Sequence, residues 1–151
     1  MGNLGNWMSK ALLQRYLAFT YYLETYGFSI LLLFIRLWIA KIFWLSGLNK
    51  ISDWPSTLYL FEYQYKVPII PPEIAAYIAA FFELSCPILL TVGFLSRIAA
   101  IPLICMTLVI QFTYLSMPEH VYWLILLSVI VLKGPGYISI DYWLRNKITS
   151  S

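Results

Sequence analysis

The chain has 151 residues, of which 61% are hydrophobic and only 11% are charged. Soluble domains usually carry about 25% charged residues, and a soluble fold of this size could not bury so much apolar surface. The composition therefore excludes an ordinary soluble domain and predicts one domain in a lipid bilayer. The net charge is +3 and no basic run is present, so nucleic acid is not an expected partner.

The first 27 residues predict an amphipathic helix that lies on the membrane surface. Its apolar stripe recurs at near-helical spacing, at Met8, Leu12, Phe19, Leu23 and Tyr26. We expect Gly27 to bend the chain into the first crossing. Charged and polar residues interrupt the first apolar stretch and no small-residue cleavage site follows, so no cleavable signal peptide is expected.

Four apolar segments follow, at residues 28–48, 73–95, 97–117 and 120–133. A transmembrane helix needs about 20 such residues, so the fourth segment is short. The sequence predicts an all-α integral membrane four-helix bundle with an N-terminal interfacial amphipathic helix. Its parts are that helix (1–27), the four-helix domain (28–144) and a tail (145–151). The aromatic 49–72 segment is expected to fold back as a cap over the outer end of the bundle.

The distribution of basic residues between the two faces predicts the orientation. Six lie on the face that carries the termini and the 95–97 turn, namely Lys10, Arg15, Arg97, Lys133, Arg145 and Lys147. Two, Lys50 and Lys66, lie on the other face. By the positive-inside rule, both termini are predicted to be cytoplasmic.

Three ionisable residues fall at membrane depth, where they usually mark a function or a structural pair. Counting about 1.5 Å per residue from the inner helix ends puts Arg36, Glu83 and Lys41 at about 12, 17 and 20 Å. We therefore predict that Arg36 and Lys41 bracket Glu83, with Gln111 in the same layer. Three interpretations stay open: a structural ion pair that fixes helix register, a polar pocket for a quinone, an oxyanion or a proton, or a Lys41 that extends outward to the lipid headgroups.

Cys86 and Cys105 lie nearly symmetrically about the 95–96 turn, so they should be at similar depth on neighbouring helices. That arrangement permits a redox pair or a soft-metal site, although free cysteines are also common small core residues. No residue is predicted to be a metal ligand in a defined site. The single histidine, His120, is expected to be solvated at an outer helix end.

Three stretches resemble the DoxX family of small four-helix membrane proteins. The first runs from Arg36 to Ile51 and ends in a Gly-x-x-Lys exit. The second is Glu83 followed by Gly93-Phe94-Leu95-Ser96-Arg97 at the turn into the third helix. The third is Gly134-Pro135-Gly136-Tyr137-Ile138-Ser139-Ile140-Asp141, whose aspartate we expect to cap the tail helix. Leu84-Ser85-Cys86-Pro87 departs from the family pattern, which often has a glycine after the glutamate.

The resemblance implies a bacterial inner-membrane protein and a link to quinone chemistry, because relatives include the small subunit of a thiosulfate:quinone oxidoreductase. It implies a component of a quinone-linked redox system that oxidises a sulfur compound or supports an oxidase. Glu83 would then act on protons and Arg36, Lys41 and Gln111 would hold a quinone or other substrate. Protein partner subunits or a homo-oligomer are expected. The alternative is a non-catalytic accessory protein that docks a partner, such as a copper-binding peptide maturation or secretion system.

Overall fold

The computed structural model describes residues 2–114 and 117–150, with the side chains of Lys10 and of residues 12–114 and 117–150. This part of the chain forms seven α-helices: α1 (Gly2–Tyr22), α2 (Phe28–Ser52), α3 (Trp54–Tyr59), α4 (Pro72–Val92), α5 (Ser96–Thr113), α6 (Pro118–Lys133) and α7 (Ile140–Thr149). Two π-helical segments, Leu23–Gly27 and Leu60–Tyr65, follow α1 and α3. No strand occurs among these described residues, which confirms the all-α prediction.

Three helices are long and apolar enough to cross a membrane: the continuous helix Leu12–Ser52, α4 and α5. The first of them joins α1 and α2 through the π-helical segment. Gly27 keeps helical dihedrals there (φ −61°, ψ −43°), so the junction is a π-helical turn rather than a break at glycine. The side chains of Leu12, Phe19, Leu23 and Tyr26 are all exposed, whereas that of Met8 lies outside the described side chains.

One apolar core receives residues from α2, α4, α5 and α6. Its fully buried members include Ile39, Leu90, Leu103, Leu127 and Ile130. Alanines at 99 and 100 let α5 come close to its neighbours, as small residues do in membrane bundles. The four helices therefore form a bundle around a common interior.

The 49–72 segment packs against the first half of α4. Asp53 caps α3 by accepting a hydrogen bond from the Ser56 amide at 3.2 Å, and the chain then returns towards the bundle. Phe61 is 5% exposed and lies in a cluster with Ala75, Ala76 and Ala79 of α4. The prediction that this segment folds back onto the bundle is confirmed.

The α4–α5 turn closes the other end of the bundle. Gly93 (φ +71°) ends α4 in a Schellman motif, in which its amide bonds the carbonyl of Leu90 and the amide of Phe94 bonds that of Leu89. Beyond α6, Gly134 and Gly136 also have positive φ angles and redirect the chain into α7. This end brings α2, α4, α5 and α7 together.

Asp141 caps a different helix from the expected one. Its Oδ1 and Oδ2 accept hydrogen bonds from the amides of Leu95 and Ser96, at 2.8 and 3.0 Å, at the start of α5. The tail helix α7 is capped by Ser139, whose hydroxyl accepts from the Tyr142 amide at 3.2 Å. The Ser-x-Asp pair therefore caps two helices, because the Gly-Pro-Gly turn lays the chain across the α4–α5 turn.

Candidate functional site

A buried ion pair joins α2 to α4. The ammonium of Lys50 lies 2.7 Å from Oε2 and 2.9 Å from Oε1 of Glu83, and it also donates to the hydroxyl of Ser46 at 2.9 Å. The side chains of Lys50 and Glu83 are only 11% and 3% exposed. The prediction that Arg36 and Lys41 bracket Glu83 is wrong, because its cation is Lys50.

Gly47 allows the close approach of α2 and α4 on which this pair depends. A Cβ at position 47 would lie 3.1 Å from Cβ of Glu83 and 2.9 Å from Cδ2 of Leu84. A larger residue would thus push α4 away and lengthen the contact between Lys50 and Glu83. Lys50 also lies in the last turn of α2, where the helix dipole favours a cation.

Pro87 removes one backbone hydrogen bond from the same turn of α4. A proline has no N–H, so the helical hydrogen bond to the carbonyl of Glu83, four residues earlier, cannot form. Pro87 itself is fully buried in the bundle. The carbonyl of Glu83 therefore has no amide of residue 87 as its helical partner.

An apolar cavity of 160 Å³ opens from the ion pair. Lys50 and Glu83 supply its charged end, and Cys105, Met106 and Tyr65 are among the side chains that line it. The remaining lining residues are Phe61, Val67, Ile70, Ala75, Ile78, Ala79, Val109 and Ile110. A largely apolar pocket with a few convergent polar groups is the usual form of a small-molecule site.

Tyr65 reaches this cavity from the 49–72 segment. Its ring contacts Phe61 and Tyr114 edge to face, with centroids 4.9 and 5.2 Å away. Burial, followed by the negative charge of Glu83, raises the pKa of the Tyr65 phenol above its usual value. The phenol therefore stays protonated at neutral pH and can donate a hydrogen bond.

The chemistry of this site follows from its three polar side chains. Lys50 can donate a hydrogen bond to a carbonyl oxygen, and Glu83 can accept a proton from a hydroxyl group. The apolar walls suit a ring rather than a hydrated ion. No group of three or more histidine, cysteine, aspartate or glutamate residues is close enough to hold a metal ion in the described part of the chain.

Arg36 lies at the other end of the bundle and ties three segments together. Its guanidinium donates to the carbonyl of Leu90 at 3.2 Å and to that of Ile138, and the side chain is fully buried. The carboxylate of Asp141 provides the compensating negative charge. A Cβ at position 93 would collide with Nη1 of Arg36, so Gly93 is needed for this contact as well as for its own φ angle.

The other predicted site residues are dispersed. Lys41 is exposed on the outer surface of α2. Gln111 does not line the cavity; its Oε1 lies 2.9 Å from Nδ1 of His120 and accepts from the Met117 amide at 3.2 Å. His120 is 7% exposed, so the expectation that it is solvated is wrong.

The two cysteines have different environments. Cys86 is buried in the core of the bundle and Cys105 is exposed at the cavity, and both thiols are free. The structure thus shows no disulfide between them. Cys105 is the thiol that a molecule in the cavity would meet.

Lys50 was not predicted as the partner of Glu83, because the depth of each residue was counted as if all the transmembrane helices began in the same plane. The long first helix does not begin there: Arg36, not Phe28, is level with the end of α4. The Gly-x-x-Lys pattern was the available signal. Gly47 lies against Glu83, and Lys50 follows three residues later on the same face of α2, so both face α4.

Fold and site together define a small multi-pass membrane protein with a buried ion pair beside an apolar cavity. The DoxX family model matches residues 31–116, which is more than half of the chain, and the chain belongs to the DoxX family. The match includes Arg36, Lys50, Glu83 and the α4–α5 turn, and it ends before Gly134. No curated protein and no solved structure matches the chain.

Proposed function

We propose that this protein binds the headgroup of a membrane quinone at the Lys50–Glu83 pair and serves as the small membrane component of a quinone-linked redox system. The buried ion pair at the end of an apolar cavity is the observation that carries the proposal. A quinone ring is flat and apolar with two carbonyl oxygens, so it needs an apolar slot and a hydrogen-bond donor. Lys50 and Tyr65 offer that donor.

The size of the cavity supports a ring as its occupant. Its 160 Å³ lies below the ~300 Å³ at which pockets for drug-sized ligands begin. A headgroup would therefore occupy it, while the isoprenoid tail lies along the lipid-facing surface of the bundle. The quinone would thus enter the cavity from the bilayer that surrounds the protein.

Reduction of a quinone to a quinol adds two electrons and two protons. In the proposed role, Lys50 polarises a carbonyl oxygen and Glu83 passes protons to it. The electrons come from a partner subunit that oxidises a small sulfur compound, and the membrane component supplies the site where they reach the quinone. Arg36, Lys41 and Gln111 have no direct contact with the ligand in this role.

The proposed topology has four crossings, with α6 as the fourth. Its 16 residues span about 24 Å, less than the ~30 Å hydrocarbon core. Residues 121–132 carry no charge, and Leu127 and Ile130 pack into the common core. With α6 across the membrane, both termini lie on the basic, cytoplasmic face, and α1 continues the first helix beyond the span on that side; an interfacial position for α1 stays a prediction.

Quinone reduction in membranes that contain the assembled system tests this function. Replacing Glu83→Gln removes the group that passes protons to the quinone but keeps the side-chain shape, and general acid–base groups contribute about 10²- to 10⁴-fold. We expect a loss of that order in the rate of quinone reduction per amount of folded protein, because the substitution also leaves the buried charge of Lys50 uncompensated and lowers stability. The matched control is Lys41→Gln, which changes an exposed charge on the same bundle and should leave the rate unchanged.

The result that would contradict the proposal is wild-type quinone reduction by a folded Glu83→Gln variant. The pair would then serve helix packing, and an accessory, non-catalytic role would remain. Proteins that co-purify in mild detergent would identify the partner in that role.

A further inference from the structure

A second cavity lies at the end of the bundle opposite the Lys50–Glu83 pair. This groove has a volume of 620 Å³ and is bordered by α2, the start of α5, residues 133–137 and α7. Three cations line it: Arg97, Lys133 and Arg145. Its apolar wall includes Phe28, Leu32 and Ile98. The proposed quinone site accounts for none of these residues.

Two of the three cations are held in place by the fold. Gly134 (φ +85°) lies so close to Arg97 that a Cβ there would be 3.2 Å from both Nε and Nη2. Lys133 ends α6, and its ammonium lies 5.9 Å from the centroid of the Phe28 ring. No ion pair joins Arg97, Lys133 or Arg145 to a carboxylate within residues 2–114 and 117–150.

The two carboxylates that line the groove do not cancel these cations. Both oxygens of Asp141 already accept hydrogen bonds from the amides at the start of α5, and its charge is also balanced by buried Arg36. Glu24 is exposed to solvent, in the π-helical segment. The groove therefore keeps an excess of positive charge beside an apolar surface.

We propose that this groove binds the phosphate of an anionic phospholipid headgroup, whose acyl chains pack against Phe28, Leu32 and Ile98. The groove lies where the membrane-spanning helices end, which is the depth of the headgroup phosphates. Basic pockets between transmembrane helices recognise such headgroups through charge, while the adjoining helix surface accepts the chains. The proposal does not depend on the quinone site, because the two cavities are at opposite ends of the bundle.

Native mass spectrometry of the whole protein, released from nanodiscs of phosphatidylglycerol and phosphatidylcholine, tests this inference. The wild type should retain one phosphatidylglycerol in preference to phosphatidylcholine. Each basic residue near a membrane surface contributes about fivefold to the attraction of anionic lipid. The Arg97→Gln/Lys133→Gln variant should therefore lose retention by about tenfold or more. The matched control, Lys10→Gln/Arg15→Gln, removes the same charge from the exposed N-terminal helix and should retain the lipid.

Equal retention by the groove variant and its control would overturn the inference. If the double variant fails to fold, Arg145→Gln in the exposed tail helix provides the same comparison against Arg15→Gln, with a loss of about fivefold expected. Soluble glycerol 3-phosphate is the second probe. Displacement of the lipid only at large excess supports a lipid ligand, whereas equally tight binding of the soluble phosphate overturns it.

Discussion

Glu83 and Lys50 offset each other's charge in an apolar interior. Removing one partner leaves an uncompensated buried charge, which costs about 3–5 kcal/mol, whereas replacing both with apolar residues is often neutral. We therefore expect Glu83→Leu and Lys50→Met to lower thermal stability in detergent strongly. The double variant should be more stable than either single variant. Additive losses in the double variant would show that the pair is not coupled.

Gly93 is required by both its backbone angle and the side chain next to it. Gly93→Ala places a Cβ against the Arg36 guanidinium and forces a residue with a side chain into the left-handed region. We expect a loss of at least about 2 kcal/mol in unfolding free energy, because buried hydrogen bonds of Arg36 are broken as well. Chemical or thermal unfolding in detergent measures this loss of unfolding free energy.

Gly27→Ala is the matched control for this substitution. The nearest atom to a Cβ at position 27 is Cδ2 of Leu23, 3.6 Å away, and the backbone is already helical. Helix propensity then predicts a change between zero and a gain of about 1 kcal/mol. Similar losses at both positions would refute the account of the α4–α5 turn.

Helices α5 and α7 are capped by neighbouring residues of one segment, so their first turns can be loosened separately. Asp141→Ala removes both acceptors at the start of α5, and loss of an N-cap costs about 1–2 kcal/mol. Hydrogen exchange should accelerate about tenfold at the amides of residues 95–98. Ser139→Ala should instead accelerate exchange at the start of α7, and the reverse pattern would contradict the assignment of the caps.

At the level of single helices, the length of the apolar segments and the proline or glycine residues near their ends were enough to predict α2, α4 and α5. The amphipathic pattern of the first 27 residues could not show that α1 runs into α2 through a π-helical segment, because no side chain of that segment is buried and the apolar pattern carries no signal for it. The residues that cap α5 and α7 were harder to predict from the sequence. Asp141 is a plausible local cap by spacing, and only the tertiary fold places it on α5.

At the scale of the whole molecule, a buried partner for Glu83 was predictable because a carboxylate at membrane depth is costly when alone. The identity of that partner was not, because residue counting along each helix ignores how far one helix is shifted relative to another. The same limit explains the errors at Arg36 and Gln111. Both have partners fixed by contacts between elements, at Ile138 and at His120.

The proposed topology of four crossings predicts that both termini share one face. Fusions of a fluorescent protein to either terminus should fluoresce, since that reporter folds in the cytoplasm, and alkaline phosphatase inserted after Lys66 should be active outside. The basic face and the charge-free run of α6 are the physical reasons. An active phosphatase at the C-terminus would mean that α6 does not cross.

The central claim, that the Lys50–Glu83 pocket holds a quinone, is tested most directly by mass spectrometry of small molecules extracted from the gently purified protein. We expect a quinone at near-stoichiometric ratio in the wild type and in Lys41→Gln. A loss of about tenfold or more is expected in Glu83→Gln, since hydrogen bonds to charged groups contribute about 1.5–3 kcal/mol. A quinone retained equally in all three proteins, or absent from all of them, would contradict the account.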